Sequence, residues 1–552
     1  MLNIYEPKVE FFPIYVPKAG MQPCLRYNHD VDIIRFKDKF IASWNANEVG
    51  AEGVPGQFNF LSISDDFCKW SSPAKLFTAE HGCINPVDSD NQWQPSFINL
   101  NDETLFCAWC DMLSRRVFIS KSSDGIHWSN QEVANAPVSI ADNETGFPTN
   151  HGIITSDGVM IFPCSMPKKS ADYLVGSSLY VAMLMSFDNG VSWEWSEPVA
   201  AMNWSEIGVP ERWPGEMNVS LWEPSVFERA DGTLELLVRN STAQDRPEYD
   251  SSVKSEQMLL YSKSSDGGRS WSKCRPAEVD TTYSRNLALS GVNASDSVFM
   301  VMNDWPVNLP ARIPFDRYNL ALYMTPGGSP DLMLPGPLVQ PEGGRGFYPN
   351  GFVYENSFYA AYTYAPATIM GAVLTPLPTF DEPFLLPRAG RQGLTFPNPE
   401  TACLTLKETT LGVVLSEKLQ KADKVNFEFD MQLFYRTDSD FFPLFTIGGK
   451  STCGAVIQAE YNSRTLADDI VMVTTDGERH VLGSCLMREW YHFKVQLTDC
   501  RVSISLGEYE LELEAELLKK FAFGGLYVEP EWPQRMKPSQ DIRLDLASLK
   551  VF

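Results

Sequence analysis

The sequence predicts an all-β protein: a six-bladed β-propeller followed by a β-sandwich of the jelly-roll type. Two observations point to the propeller. A turn of the form Ser-x-Asp-x-Gly-x-x-Trp recurs at one place in successive groups of strands, complete at Ser186–Trp193 and Ser264–Trp271. Strand-length apolar runs bounded by turn residues repeat as similar units with loops of unequal length. A third observation points to the sandwich, because beyond Pro378 short strands continue without that turn.

The units follow one another along the chain. The first runs through Asp32 to Trp44, Phe58 to Ile63 and a turn before Trp70. The second has Pro95 to Asp111, Arg116 to Ser120 and a turn at Ser122–Trp128 that is one residue short. Gly152 to Ser165 and Leu179 to Met185 form the third. The fourth opens at Trp222-Glu223, turns at Ala230-Asp231-Gly232, and continues through Leu234 to Arg239 and Met258 to Ser262. Leu287 to Asp304 and Tyr318 to Tyr323 give the fifth, and Tyr348 to Tyr364 with Ile369 to Leu374 the sixth. In the turn, the Asp caps backbone N–H groups, the Gly takes a backbone angle other residues resist, and the Trp packs beneath the hairpin. Four-stranded units cannot bury their faces alone, and radial stacking solves that. A pair of sandwiches would not repeat one turn at one place in each unit.

Residues 1–378 are therefore expected to form the propeller. Residues 379–401, rich in Pro, Gly and Arg, read as a linker. From 402 to 552 the strands Lys424 to Tyr435, Phe442 to Ile447, Ala455 to Glu460, Ile470 to Thr474, Trp490 to Leu497, Val502 to Leu506 and Asp541 to Phe552 predict one antiparallel sandwich, expected to brace the propeller.

Composition narrows the function. At 552 residues the chain exceeds one typical core. Met1 to Gly20 shows no apolar run, and no stretch of about 18 apolar residues occurs, so neither a signal peptide nor a membrane span is expected. Eleven scattered cysteines are not a disulfide framework, which predicts a reducing, cytoplasmic setting. Cys107-Ala108-Trp109-Cys110 is a CxxC inside an apolar strand, where its thiols point to opposite faces, and it reads as core. The net charge of −25 argues against nucleic acid as partner and means that an anionic ligand needs a local arginine cluster.

Chemistry in a propeller gathers where inner strands begin. Those starts are Arg26 to His29, Gln94, His151, Glu223, Ser290 and Tyr348; strand ends and loops add Glu48, Glu52, Arg239, Arg312, Arg317 and Arg345. Arginines offer always-charged, bidentate forks to a carboxylate. The two complete turns, two degenerate ones and the Glu223 to Arg239 strand pair resemble the sialidase superfamily of six-bladed propellers, the BNR-repeat or Asp-box proteins, over roughly residues 20 to 378. The resemblance extends to the expectation of a concanavalin-like sandwich at the C-terminus. In that family a Glu and an Arg sit on the fourth blade, an Arg on the fifth and a Tyr on the sixth; Glu223, Arg239, Arg317 and Tyr348 fall in that order.

The resemblance implies an exo-glycosidase that removes a terminal acidic sugar, sialic acid or a related 2-keto sugar acid, from a glycan without metal or organic cofactor. Tyr348 would be the nucleophile, Glu223 its base and Glu52 the acid, with Glu48 as the competing acid. Arg26, Arg239 and Arg317 would hold the substrate carboxylate, with Arg312 competing with Arg317. A neutral phenol suits a sugar whose anomeric carbon bears a carboxylate, because an anionic nucleophile would be repelled. Two departures stand out: Arg26-Tyr27-Asn28-His29 replaces the family's Arg-Ile-Pro, and a Glu stands where the family has Asp. His29 and His151, two of six histidines, lie at inner-strand starts. They leave open a propeller lyase or another glycoside hydrolase acting on uronate-containing oligosaccharide, and a non-catalytic glycan-binding propeller is the third class.

Overall fold

The computed structural model describes residues 1–79, 82–112, 116–133, 147–166, 180–200, 221–240, 258–280, 285–290, 296–304, 317, 319–342, 344–365, 367–388, 394–395, 402–407, 410–436, 441–449, 454–524 and 540–552. Six antiparallel sheets form the propeller. The first blade is Tyr27–Phe36, Lys39–Asn47, Phe58–Ser64 and Ala74–Lys75. Gln92–Leu100, Thr104–Asp111, Arg116–Ser122 and Ser129–Glu132 form the second. In the third, the inner strand is broken into Phe147–Pro148 and Ile153–Ile154, both pairing with Met160–Met166. The fourth is Leu221–Glu228, Leu234–Asn240, Met258–Ser264 and Arg275–Asp280. The fifth begins with the hairpin Leu287–Ser290 and Val298–Asn303.

The sixth blade closes the ring. Gly346–Tyr354, Ser357–Tyr364 and Thr368–Thr375 take Lys8–Tyr15 as their outer strand, so the two ends of the propeller meet in one sheet. Pro13 within that strand marks it as an edge strand, which is where a residue without an N–H is tolerated.

The repeated turns lock blade to blade. In the complete ones Gly190 and Gly268 have φ of +79° and +90°. A Cβ on Gly190 would fall 2.5 Å from Phe106 of the preceding blade, so the turn must be glycine for space as well as for angle. Asp66 accepts from the backbone N–H groups of Cys68 and Lys69 at 2.9 Å, and there Phe67 takes the left-handed angle itself at +63°. Cys107 and Cys110 are both free and fully buried, as core residues of the second blade.

Two sheets make the sandwich. Among the described residues one holds eight strands, with Phe441–Gly448, Gly454–Asn462 and Ala467–Thr474 among them; the other holds seven, centred on Lys424–Arg436 and Gln540–Val551. Phe427, Phe429, Phe445, Phe493, Phe521 and Phe523 fill the space between them. The stretch 379–401 is not merely a linker. Phe384–Pro387, four buried residues, is a strand of the eight-stranded sheet, and Asn3–Ile4 from the N-terminus pairs beside it. Its Pro- and Arg-rich flanks concealed an apolar core segment. Phe380 and Phe384 pack in one cluster with Phe299 of the fifth blade, Arg388 bonds Asp304 at 2.7 Å, and Lys520 Nζ donates to the Glu278 carbonyl at 3.1 Å. The sandwich thus grips the fifth blade and its neighbour. Among the described residues no helix is long and apolar enough to cross a membrane.

Candidate functional site

Four inner strands carry a bulge at their start, between His29 and Asp32, Trp93 and Ser96, Trp222 and Pro224, and Phe347 and Asn350. Within each, one residue has a left-handed backbone: Asp30 (φ 52°), Gln94 (φ 49°), Glu223 (φ 49°) and Tyr348 (φ 58°). None is a glycine, so each is strained, and strain of this kind persists where the surroundings impose it and clusters at functional sites. The bulges break the alternation of the strands at the four points where they reach the axis.

Glu223, Arg239 and Tyr348 meet there. Trp222 pairs with Arg239 across the fourth blade, which sets Arg239 beside Glu223. Arg239 Nη1 donates to Glu223 Oε2 at 2.5 Å and contacts Tyr348 Oη at 3.0 Å. All three are buried, Tyr348 keeping 7% of its surface. The Glu223 N–H donates to Ser165 Oγ of the third blade at 2.8 Å, which pins its bulge. Burial alone would raise the Glu223 carboxyl, but the Arg239 charge and the bond with Tyr348 outweigh it and hold it below the usual range. Burial, and then the negative charge of Glu223, push the Tyr348 phenol well up, so it is neutral at rest.

Arg317 lies with its guanidinium carbon 4.8 Å from the Tyr348 ring centroid and 4.9 Å from that of Phe347. Two of the three expected arginines therefore flank Tyr348. Arg26 does not: it is exposed. Strand alternation puts it on the face opposite Tyr27 and His29. His29 instead reaches the well, its ring 4.2 Å from that of Tyr348 and its Nδ1 3.0 Å from Thr363 Oγ1. Burial lowers its pKa to about 4, so it is neutral near pH 7. The neighbouring Asp30 is raised to about 7 by burial, opposed by the nearby Arg285 charge, and accepts a hydrogen bond from Gln94.

Glu52 belongs with this group and Glu48 does not. Ligand atoms of His29, Asp30 and Glu52 lie within 4.8 Å of one another, whereas Glu48 accepts from the backbone N–H of Cys24 at 3.0 Å. Glu52 keeps an exposed edge while burial raises its carboxyl. The three could offer atoms to a metal, but Arg285 and Arg317 face the same carboxyl groups and oppose a cation.

His151 falls elsewhere. The break in the third blade's inner strand leaves it in a gap, where its Nδ1 meets the buried Asp32 carboxylate at 2.9 Å. It lines a cavity of about 370 Å³ with Arg35, Asn99 and Tyr354, which stand near the opposite ends of the inner strands that begin at the Tyr348 well. Arg312 lies outside the described residues. Sequence reasoning gave no role to Asp30, Gln94 or Arg285. The signal for Arg285 was its place two residues before the fifth blade's first strand, close to where that strand starts.

Residues 40–330 match the family model of the BNR repeat-like domain. A search of curated proteins gives no match. Among solved structures the chain is similar to Trypanosoma rangeli sialidase in complex with 2,3-difluorosialic acid, with a TM-score of 0.51 at 10% identity over 99% of this chain and 96% of that one. It is also similar to a protein of unknown function from Dyadobacter fermentans (TM-score 0.47, 14% identity, 67% of this chain, 99% of that one). A Hadza microbial sialidase gives a TM-score of 0.46 at 12% identity, over 63% of this chain and 65% of that one. At these identities the likeness is one of fold. With the family model spanning more than half of its residues, the chain belongs to the BNR repeat-like family and has the six-bladed fold of the sialidase superfamily.

Proposed function

We propose that the protein is a retaining glycosidase that releases a terminal acidic sugar, of the 2-keto acid class, from a glycan. The contact of Glu223, Arg239 and Tyr348 at the axis is the observation that supports this reading. Tyr348 Oη attacks the anomeric carbon as its proton passes to Glu223, and Glu52, whose carboxyl burial shifts upward, gives a proton to the departing glycosidic oxygen. Water then cleaves the tyrosyl–sugar bond, with Glu52 taking its proton and Glu223 returning one to the phenol. Arg317 and Arg239 pair with the sugar carboxylate. The loss of Arg26 from the site leaves room and polarity, through His29 and Asp30, for a sugar other than sialic acid itself.

The test is a panel of aryl ketosides of sialic acid and shorter 2-keto sugar acids, with 2,3-difluoro analogues as traps. Cleavage, a mass increase of one sugar that maps to Tyr348, and a fall of about a thousandfold or more in Tyr348→Phe are expected. Full turnover by Tyr348→Phe on every cleaved substrate would remove the nucleophile.

One observation favours a second reading. His29, neutral and with its ring 4.2 Å from that of Tyr348, would then serve as the base of a lyase acting beside a uronate carboxylate. Uronate-containing oligosaccharides then yield a product absorbing in the near ultraviolet, which hydrolysis does not give.

A further inference from the structure

We propose that Arg285 is a positioning residue for Tyr348: from the propeller axis its guanidinium clasps the Tyr348 carbonyl and holds the left-handed backbone that aims the phenol at Glu223. Arg285 is 1% exposed. Its Nη1 donates to the Thr149 carbonyl at 2.6 Å, and its Nη2 to the carbonyls of Val31 at 3.3 Å and Tyr348 at 3.2 Å. One side chain of the fifth blade thereby ties the third, first and sixth. The guanidinium carbon also lies 5.1 Å from the Tyr348 ring centroid, so backbone and ring are both engaged. Asn350 Nδ2 donates to the same Val31 carbonyl at 3.2 Å and fixes the chain just past the bulge.

A link between blades does not require a charge. Asn150 makes one nearby without it, Nδ2 donating to the carbonyls of Asn286 at 2.6 Å and Pro224 at 3.3 Å. Burying a guanidinium among carbonyls is costly, and the nearby carboxyl of Asp30 stands off at 3.5 Å. What the arginine adds is a planar fork that spans three carbonyls, one of them belonging to a strained residue whose hydroxyl must meet its base. A lysine would reach fewer of them.

The kinetic arm of the test rests on the glycosidase reading; the stability arm does not. Arg285→Lys is compared with Arg229→Met, which removes another buried arginine, paired with Asp296 at 2.8 Å at the far end of the fourth blade's first strand. On an aryl ketoside that the wild type cleaves, Arg285→Lys loses about a hundredfold in kcat with KM within about threefold, and Arg229→Met keeps its kcat. A kcat within about threefold of wild type for Arg285→Lys overturns the proposal. In the second arm, urea unfolding compares Arg285→Lys in wild-type and Tyr348→Gly backgrounds. Glycine adopts a φ of +58° without strain. The loss in unfolding constant caused by Arg285→Lys is thus smaller by about tenfold or more in the glycine background, and equal losses overturn the proposal. Should Arg285→Lys alone fail to fold, folding of the double variant supports it and failure of both overturns it. If the wild type cleaves nothing, the glycosidase reading falls while the unfolding comparison still decides about Arg285.

Discussion

Replacing Asp30 by Asn changes how the stability of the fold depends on pH, by an amount that two buried neighbours fix. Asp30 is raised from 3.8 to about 7, so folding favours its protonated form; that contribution is complete below pH 3.8 and is lost as pH rises through about 7. His29 is lowered from 6.5 to about 4, so folding favours its neutral form; that contribution is complete above pH 6.5 and is lost as pH falls through about 4. Between pH 4 and 6.5 the folded pair therefore holds one proton, on Asp30, and the unfolded pair holds one, on the histidine. Their slopes cancel. Asn at position 30 removes the falling slope and leaves the rising one, about 1.4 kcal/mol per pH unit for one proton. Over that window the variant gains about 3 kcal/mol relative to wild type. Asn tolerates the left-handed angle at this position, so the variant is expected to fold. Urea unfolding of both proteins in steps from pH 4.5 to 6.5 reads the difference, and titrating groups remote from Asp30 drop out of it. Curves that stay parallel across the window would refute a protonated Asp30.

Three further outcomes follow from the geometry. Arg26→Ala leaves KM for an acidic substrate within about twofold, because Arg26 is exposed, and a loss of more than tenfold in titrations would return it to the site. Gly190→Ala lowers stability by about 2–4 kcal/mol, read as a fall in Tm, because its Cβ meets Phe106 at 2.5 Å and its φ is +79°. With a net charge of −25, long-range repulsion slows capture of an anionic substrate, so kcat/KM rises as salt is raised from about 10 to 150 mM; a flat profile would deny the repulsion.

The parts of the fold with side-chain rules of their own were legible in the sequence. The Asp-box turns need glycine at a left-handed position and an aspartate to cap, and those two demands leave a spaced pattern. Glu223 and Arg239 were legible because a short turn fixes which residues face each other across a hairpin. The bulges were not, since Asp30, Gln94, Glu223 and Tyr348 take a glycine-like angle without being glycine, and the sequence holds no mark of it. Arg26 was misplaced because strand alternation turns it to the face opposite Tyr27 and His29, ahead of the bulge that follows His29. His151 was misplaced because the third blade's inner strand breaks, and the closing strand Lys8–Tyr15 went unassigned because its partner lies at the other end of the propeller sequence.

The charge of the well decides what it can admit. Below pH 7 three guanidinium groups, of Arg239, Arg285 and Arg317, face the carboxyl groups of Glu223 and Glu52, while Asp30 is protonated and His29 is neutral above about 4. Arg285 is occupied by three carbonyls and Arg239 shares its charge with Glu223, so the positive charge is greatest on the Arg317 side of the Tyr348 ring. On the proposed glycosidase reading, the sugar carboxylate is drawn to that side, next to the phenol. A carboxylate nucleophile in the place of Tyr348 would meet that anion with like charge and would also neutralise the arginine that draws it in. On that reading the phenol does neither until Glu223 takes its proton, so the proposed nucleophile and the positive field that would recruit its substrate can occupy the same few ångströms.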